Sequence, residues 1–378
     1  MNQKEVFLND LYTRIATALD ISETLFQRAV TSYQTVGNYL SNCAPNYDIS
    51  IYPQGSFKLG TVIKPYFDND EYDLDFVCEI NNGKEISALQ LKTEIGGWLK
   101  KDKRYSNKIE EKKRCWTIEY ADSAQFHMDI TPALHLAQIN KSIFVTTRIS
   151  EGEYKYSHSN PNGYADWFYK RMEVRRNELL QAVALRKYNA DISRVPDFEI
   201  KTPLQQAIQI LKRHRDIMFL NNTEGTAPKS IIITTLAALS YNNESSLYDT
   251  LVNIINKAPN FIIKTNNKYE IVNPSNPREN FAEKWNEDTK RADAFFDWIK
   301  KSKQDIILNP MNFTNQVEIA NELKKSLGEG IISRVFSVIG EETREGLNNK
   351  QIGITPATGI LAAGGAIVGP KHRNYGNE

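Results

Sequence analysis

The chain has 378 residues, 40% of them hydrophobic, enough for one large core or two modest ones. Its 47 Lys and Arg nearly cancel its 46 Asp and Glu, leaving a formal charge of +1, so there is no chain-wide field to hold nucleic acid non-specifically. No stretch is apolar enough to span a bilayer, and Met1-Asn2-Gln3-Lys4-Glu5 lacks the basic patch and apolar run of a secretory signal.

Two helices are expected first. Phe7, Leu8, Leu11, Ile15, Ala18 and Leu19 recur at helical spacing, and Ser22-Glu23 opens a second helix through Tyr39. From Tyr47 the pattern becomes that of short strands: Ile49 and Ile51 alternate with polar residues, and after a glycine-containing turn a strand runs from Tyr72 to Ile80. Ile86 to Leu99 reads as a helix. Cys115 to Tyr120 and Gln125 to Ile130 alternate as a hairpin around Ala121-Asp122-Ser123-Ala124. Beyond Pro132 strand signals thin out, and Trp167 to Tyr188 is helical. Thr202-Pro203 supplies a capping hydroxyl and a first-turn proline for a helix through about Asn221. Ser230 to Leu239, Asn280 to Lys301 and Val317 to Leu327 continue the helical pattern. The three cysteines, Cys43, Cys78 and Cys115, are odd in number and show no CxxC spacing, which fits buried thiols in a reduced, cytoplasmic setting.

The richest segment is Gln54-Gly55-Ser56-Phe57-Lys58, followed by Asp73-Leu74-Asp75. On a strand, residues two apart share a face, so the two carboxylates point together while Leu74 and Phe76 enter the core. Their repulsion and partial burial call for a cation, and hard oxygen ligands favour magnesium, or manganese in its place, over zinc. Asp129, which alternates with Phe126, Met128 and Ile130, would complete a two-metal site suited to phosphoryl transfer. Gly55 lets a triphosphate approach the backbone, Ser56 can donate to it, and Lys58 can add positive charge. His127, beside Asp129, reads as a hydrogen-bonded neighbour of the site, and the cluster Lys100 to Arg104 with Lys112 to Arg114 as a solvated face.

Gly55-Ser56, Asp73-x-Asp75 and Asp129 resemble the signature of polymerase beta-like nucleotidyltransferases. More narrowly, the chain resembles the CD-NTase (SMODS) family of bacterial CBASS anti-phage systems, relatives of cyclic GMP-AMP synthase and oligoadenylate synthetase. The likeness extends through Pro203 to Asp216, Lys229 to Ala237 and Asn273-Pro274-x-Asn276-Pro277-x-Glu279-Asn280-Phe281-Ala282. It implies an α+β fold: a mixed sheet with flanking helices, plus a C-terminal helical domain closing over the nucleotide. The expected division is N-terminal helices over 1–45, a catalytic domain over 46–200, a helical domain over 201–350 and a tail over 351–378. The resemblance also implies that Lys212 and Ser230 contact the triphosphate.

The activity so implied joins NTPs, ATP and GTP among them, into a cyclic di- or trinucleotide with release of pyrophosphate. A linear transferase adding NMP to RNA, protein or a small acceptor would share the same core, and an inert nucleotide-binding regulator would share the fold. No cysteine-histidine zinc insertion accompanies the basic cluster, so no nucleic-acid activator is expected. The partners implied are a downstream effector that binds the product and a ubiquitin-transfer-like protein acting on the C-terminal tail. Within that tail Ile354 to Ala366 is apolar and glycine-rich without a helical or strand period, and the tail is expected to be flexible.

Overall fold

A computed structural model describes residues 2–67, 71–82, 86–120, 126–135, 142–188, 200–348, 352–354 and 361–363. The loop 121–124 and Gln125, the acidic run 68–70 and the tail from 364 onward fall outside these.

The chain opens with α1 (Gln3–Leu19), whose cap Asn2 and third residue Glu5 hydrogen-bond reciprocally. It continues with α2 (Glu23–Cys43), where Ser22 accepts from the Leu25 amide. Then follow β1 (Ile49–Pro53), the short helix α3 (Gly55–Leu59), β2 (Tyr72–Ile80), α4 (Ala88–Lys101), β3 (Ile109–Glu111), β4 (Trp116–Glu119), β5 (Phe126–His135), β6 (Ile143–Ser150) and β7 (Glu153–Ser159). Among the described residues these seven strands form one sheet in the order β1-β2-β5-β4-β3, with β6 on β5 and β7 on β6. β2 and β5 run parallel; the other pairs are antiparallel.

The second half is helical: α5 (Pro161–Arg171), α6 (Glu173–Tyr188), α7 (Pro203–Met218), α8 (Ser230–Ser240) and α9 (Leu247–Lys257). Two small hairpins come next, β8 (Ile263–Thr265) with β9 (Lys268–Glu270), and β10 (Val272–Asn273) with β11 (Asn276–Asn280). Then come α10 (Glu283–Glu287), α11 (Lys290–Ser302), a π-helical turn over Lys303–Leu308, α12 (Asn309–Asn312), α13 (Gln316–Leu327) and α14 (Glu329–Asn348). The fold is α+β, a mixed sheet with flanking helices and a helical C-terminal region.

Three expectations from the sequence change. Strand structure does not fade beyond Pro132: β5 runs on to His135, and β6 and β7 follow. Pro132 sits where β5 exchanges β4, last paired at Ile130, for β6, first paired at Ala133, so its missing N–H interrupts neither antiparallel ladder. The run Asn280 to Lys301 is not one helix. The Asp288 carboxylate accepts from the Lys290 amide and separates α10 from α11. In the tail, Ile352–Ile354 (β12) pairs antiparallel with Leu361–Ala363 (β13), although the sequence there shows no strand period.

Packing follows the periodicity. One core gathers Leu74, Phe76, Ile118, Met128 and Ile130 of the sheet against Leu91, Ile95 and Leu99 of α4 and Ala29, Val36 and Leu40 of α2. A second gathers α7, α8, α9 and α11 with Leu8, Leu11, Tyr12 and Ile15 of α1 and Tyr164 and Phe168 of α5, and a small third one joins Val77, Ala133, Ile143 and Val145. The two first helices therefore serve different cores.

Helix α7 ties the helical half to the segment after α3. Gln205 Nε2 donates to the Leu59 carbonyl at 2.9 Å, Gln209 Nε2 to Val62 at 2.7 Å, and Lys212 Nζ to Thr61 at 2.9 Å. Arg213 Nη2 donates to the carbonyls of Lys64 and Pro65. These polar side chains are buried, and segment 59–65 lies in no strand, so they supply partners for carbonyls that no ladder would satisfy. Replacing Gln209, which is fully buried, by the similarly sized Met leaves the Val62 carbonyl without this donor. Thermal unfolding of Gln209→Met should show a loss of about 1–3 kcal/mol; an unchanged melting temperature would mean that the seam carries no stability.

Candidate active site

The site begins with strand parity. In the parallel β2–β5 ladder Asp75 stands opposite Asp129 and Asp73 opposite His127. Leu74, Phe76, Met128 and Ile130 take the other face and are buried, which obliges the acidic set to share one side. On the far side of Asp129, Thr117 of β4 is its register partner, and Thr117 Oγ1 donates to Asp129 Oδ1 at 2.5 Å.

The Gly-Ser segment is brought against these carboxylates by β1. The Gln54 amide donates to the Asp75 carbonyl at 2.8 Å, and Gln54 Nε2 donates to Thr131 Oγ1 at 3.2 Å. Gly55 adopts φ +60°, and a Cβ there would stand 2.5 Å from Asp75 Oδ2. Only glycine permits both the left-handed backbone and that approach.

Burial first, then Asp73 and Asp129, push the Asp75 carboxyl up to about 7. Asp73 is held below the usual carboxylate range chiefly by its hydrogen bond with His127, whose Nε2 lies 2.8 Å from Asp73 Oδ1. The same bond raises the His127 imidazole to about 9, and its Nδ1 lies 3.3 Å from Glu71. Lys212, 7% exposed, is lowered to about 8, first by burial and then by Arg215.

Two cavities meet at this point, and Gly55, Leu59, Asp75 and Ile231 line both. The smaller, about 660 Å³, brings together Ser56, Asp73, Asp75, Lys212 and Ser230. The larger, about 1260 Å³, opens between β7, α5 and β11 and takes in Gln54 and Lys58. Asp129 lines neither; it lies one strand behind Asp75. Lys58 turns away from the smaller cavity, with its ammonium on Asn162 Oδ1 and over the Tyr52 ring.

Sequence reasoning missed Arg215, which lines the smaller cavity one helical turn after Lys212 and donates through Nη1 to Ser230 Oγ at 3.3 Å. The i, i+3 spacing from Lys212 is the signal that could have found it. His127 is the hydrogen-bonded neighbour that the sequence suggested, but its partner, Asp73, is visible only once the register is known.

Among the described residues no three His, Cys, Asp or Glu side chains stand as a ready-made metal cage, and the three cysteines are free. The donor set nevertheless fits a hard divalent cation. It is all oxygen, and among the described residues no Lys or Arg forms an ion pair with Asp75 or Asp129. Magnesium binds through one or two carboxylates together with substrate phosphates, so no complete protein cage is required.

Comparison with known proteins gives the family and the fold. The model of the Second Messenger Oligonucleotide or Dinucleotide Synthetase domain matches residues 7–171. A c-di-GMP synthase of Roseivirga ehrenbergii is 32% identical over 285 residues, covering 74% of this chain and 73% of that protein. The cyclic dinucleotide synthase CdnG of Bradyrhizobium diazoefficiens is 22% identical over 96% of this chain and 90% of its own length. A structure of CdnG with GTP superposes with a TM-score of 0.68 at 21% identity, covering 88% of this chain and 99% of that one. CdnC of E. coli MS115-1 with ATP gives 0.62 at 15%, covering 85% and 97%.

The Gly55 contact is the sharpest local test. In Gly55→Ala the methyl group must displace the Asp75 carboxylate on a strained left-handed backbone, so pyrophosphate release from nucleoside triphosphates should fall by about a hundredfold in a protein that still folds, with a melting temperature lowered by a few degrees. Full activity in that variant would show that Asp75 needs no such placement.

Proposed function

Because the chain belongs to the Second Messenger Oligonucleotide or Dinucleotide Synthetase family, and is thus a nucleotidyltransferase that builds cyclic oligonucleotides, we propose that it joins two GTP molecules into a cyclic dinucleotide serving anti-phage defence. The observation that carries the reading is the meeting of two cavities at Asp75, one with the cations and hydroxyls for a triphosphate, the other roomy enough for a second nucleotide. The choice of guanine is supported by the relatives, one called a c-di-GMP synthase and another held with GTP.

In this reading the donor triphosphate enters the smaller cavity. The hydroxyls of Ser56 and Ser230 donate to its oxygens, and the Lys212 ammonium, fixed by the Thr61 carbonyl, supplies a positive charge at a constant position. Arg215 orients Ser230 and adds a second charge. Asp73, Asp75 and Asp129 would hold magnesium, or manganese in its place, which when bound lowers the pKa of the attacking hydroxyl and neutralises the departing pyrophosphate. Thr117 fixes one oxygen of Asp129, and Gly55 fixes the position of Asp75. The acceptor lies in the larger cavity with a ribose hydroxyl near Asp75. That hydroxyl gives up its proton and bonds to the donor's α-phosphorus, the bond to the β-phosphate breaks, and pyrophosphate leaves. The linear intermediate then reverses, so that its own triphosphate occupies the smaller cavity and a second transfer closes the ring.

Incubation with labelled NTPs and magnesium, followed by phosphatase, should leave a resistant product that mass spectrometry identifies as a cyclic guanine dinucleotide. Asp73→Asn with Asp75→Asn should abolish it, and EDTA should do the same to the wild type. A product that phosphatase degrades, or one without guanine, would overturn the proposed substrate and ring.

A further inference from the structure

The larger cavity carries a feature that the donor site does not use. Lining Lys and Arg side chains outnumber its carboxylates two to one. Three of these cations come from separate elements: Arg114 from the β3–β4 turn, Lys229 from the residue before α8, and Lys284 from α10. Among the described residues none of the three has an ion-pair partner, and Lys229 lies close enough to feel both Arg114 and Lys284. Lys229 is held below the usual lysine value first by desolvation in the cleft and then by Lys284, Arg114 and Arg291, against the pull of Glu283. Arg291 is occupied by Asp288 and the Gly225 carbonyl, and Glu279, on the same wall, is occupied by Asn273 Nδ2 at 2.7 Å.

Glu279 and Glu283 offset these cations only in part, since lining Lys and Arg remain in excess, and an excess of like charge in a cleft favours an anion that relieves it. Nor is the turn that presents Arg114 slack. The buried Lys92 donates to the carbonyls of Lys112 and Cys115 at 3.1 and 2.8 Å, and the Arg148 amide donates to that of Lys113 at 2.9 Å. The cation is thus offered from a fixed backbone. Lys229 faces the larger cavity while its neighbour Ser230 faces the smaller, so the two anion seats lie back to back across the start of α8.

We propose that Arg114, Lys229 and Lys284 seat the 5′-triphosphate of the acceptor nucleotide while the first bond forms. The proposal rests on the donor and acceptor assignment above. During that first transfer two triphosphates are present, and Ser56, Lys212 and Ser230 can receive only one. During ring closure the triphosphate of the linear intermediate occupies the smaller cavity, and the nucleotide in the larger one carries a phosphodiester instead. The cation cluster is therefore needed in the first step and idle in the second.

The two steps can be assayed apart in the full chain carrying Arg114→Ala and Lys284→Ala, both exposed positions. Formation of the linear dinucleotide from GTP should fall on the order of tenfold or more, through a raised KM for the acceptor. Transfer to guanosine, which has no triphosphate, and ring closure of supplied linear intermediate should stay within about twofold of wild type. Unchanged linear synthesis would overturn the proposal, as would an equal loss in ring closure or in transfer to guanosine, because a merely structural defect would depress every step. A wild-type protein that performs neither step would overturn instead the function on which the proposal rests.

Discussion

The structure depends on one pairing, the parallel ladder between β2 and β5 that sets Asp75 beside Asp129. Burial first, and then the neighbouring charges of Asp73 and Asp129, bring the Asp75 carboxyl up to about 7. The ladder cannot slip to escape this cost. A one-residue shift of either strand would carry its own apolar residues, Leu74 and Phe76 or Met128 and Ile130, out of the core and its acids into it. Hydrophobic burial therefore holds the charges together, and the residual negative field is what a divalent cation would relieve.

The surrounding elements follow from serving that cluster. β1 delivers Gly55 to van der Waals contact with Asp75, and α3 places Ser56 on the side of the smaller cavity. α7 then makes the two halves one unit, because its buried Gln205, Gln209, Lys212 and Arg213 satisfy the carbonyls of segment 59–65. A helix that presented only apolar side chains there would leave those carbonyls unpaired. Lys212 serves both ends, fixed by the Thr61 carbonyl and facing the same cavity as Asp73 and Asp75. Docking of the lobes and placement of the Lys212 charge in that cavity are thus one interaction.

Local chemistry was legible in the sequence where it is short-ranged. The alternation around Asp73, Asp75 and Asp129 gave their common face, and Ser22 and Thr202 gave helix starts that their side chains do cap. Longer-range partners were hidden. Nothing in the residues around Lys58 says that its ammonium meets Asn162, 104 positions on, and nothing near Asp73 says that His127 pairs with it across the ladder. β6 and β7 escaped because Thr146 and Thr147 are buried polar residues, while β7 carries its packing on Tyr154 and Tyr156, so neither shows a clean apolar face. Arg114 read as part of a solvated face with Lys112 and Lys113, because it shares a cavity with Lys229 and Lys284 only through the fold.

The central claim is that these carboxylates and the Ser56, Lys212 and Ser230 cavity act together on a metal-bound triphosphate. A crystal structure with manganese and a GTP analogue that cannot release pyrophosphate tests it directly. The account predicts anomalous scattering beside Asp75, with the triphosphate between Ser56, Lys212 and Ser230. Manganese bound elsewhere, or a triphosphate lying outside that cavity, would contradict it.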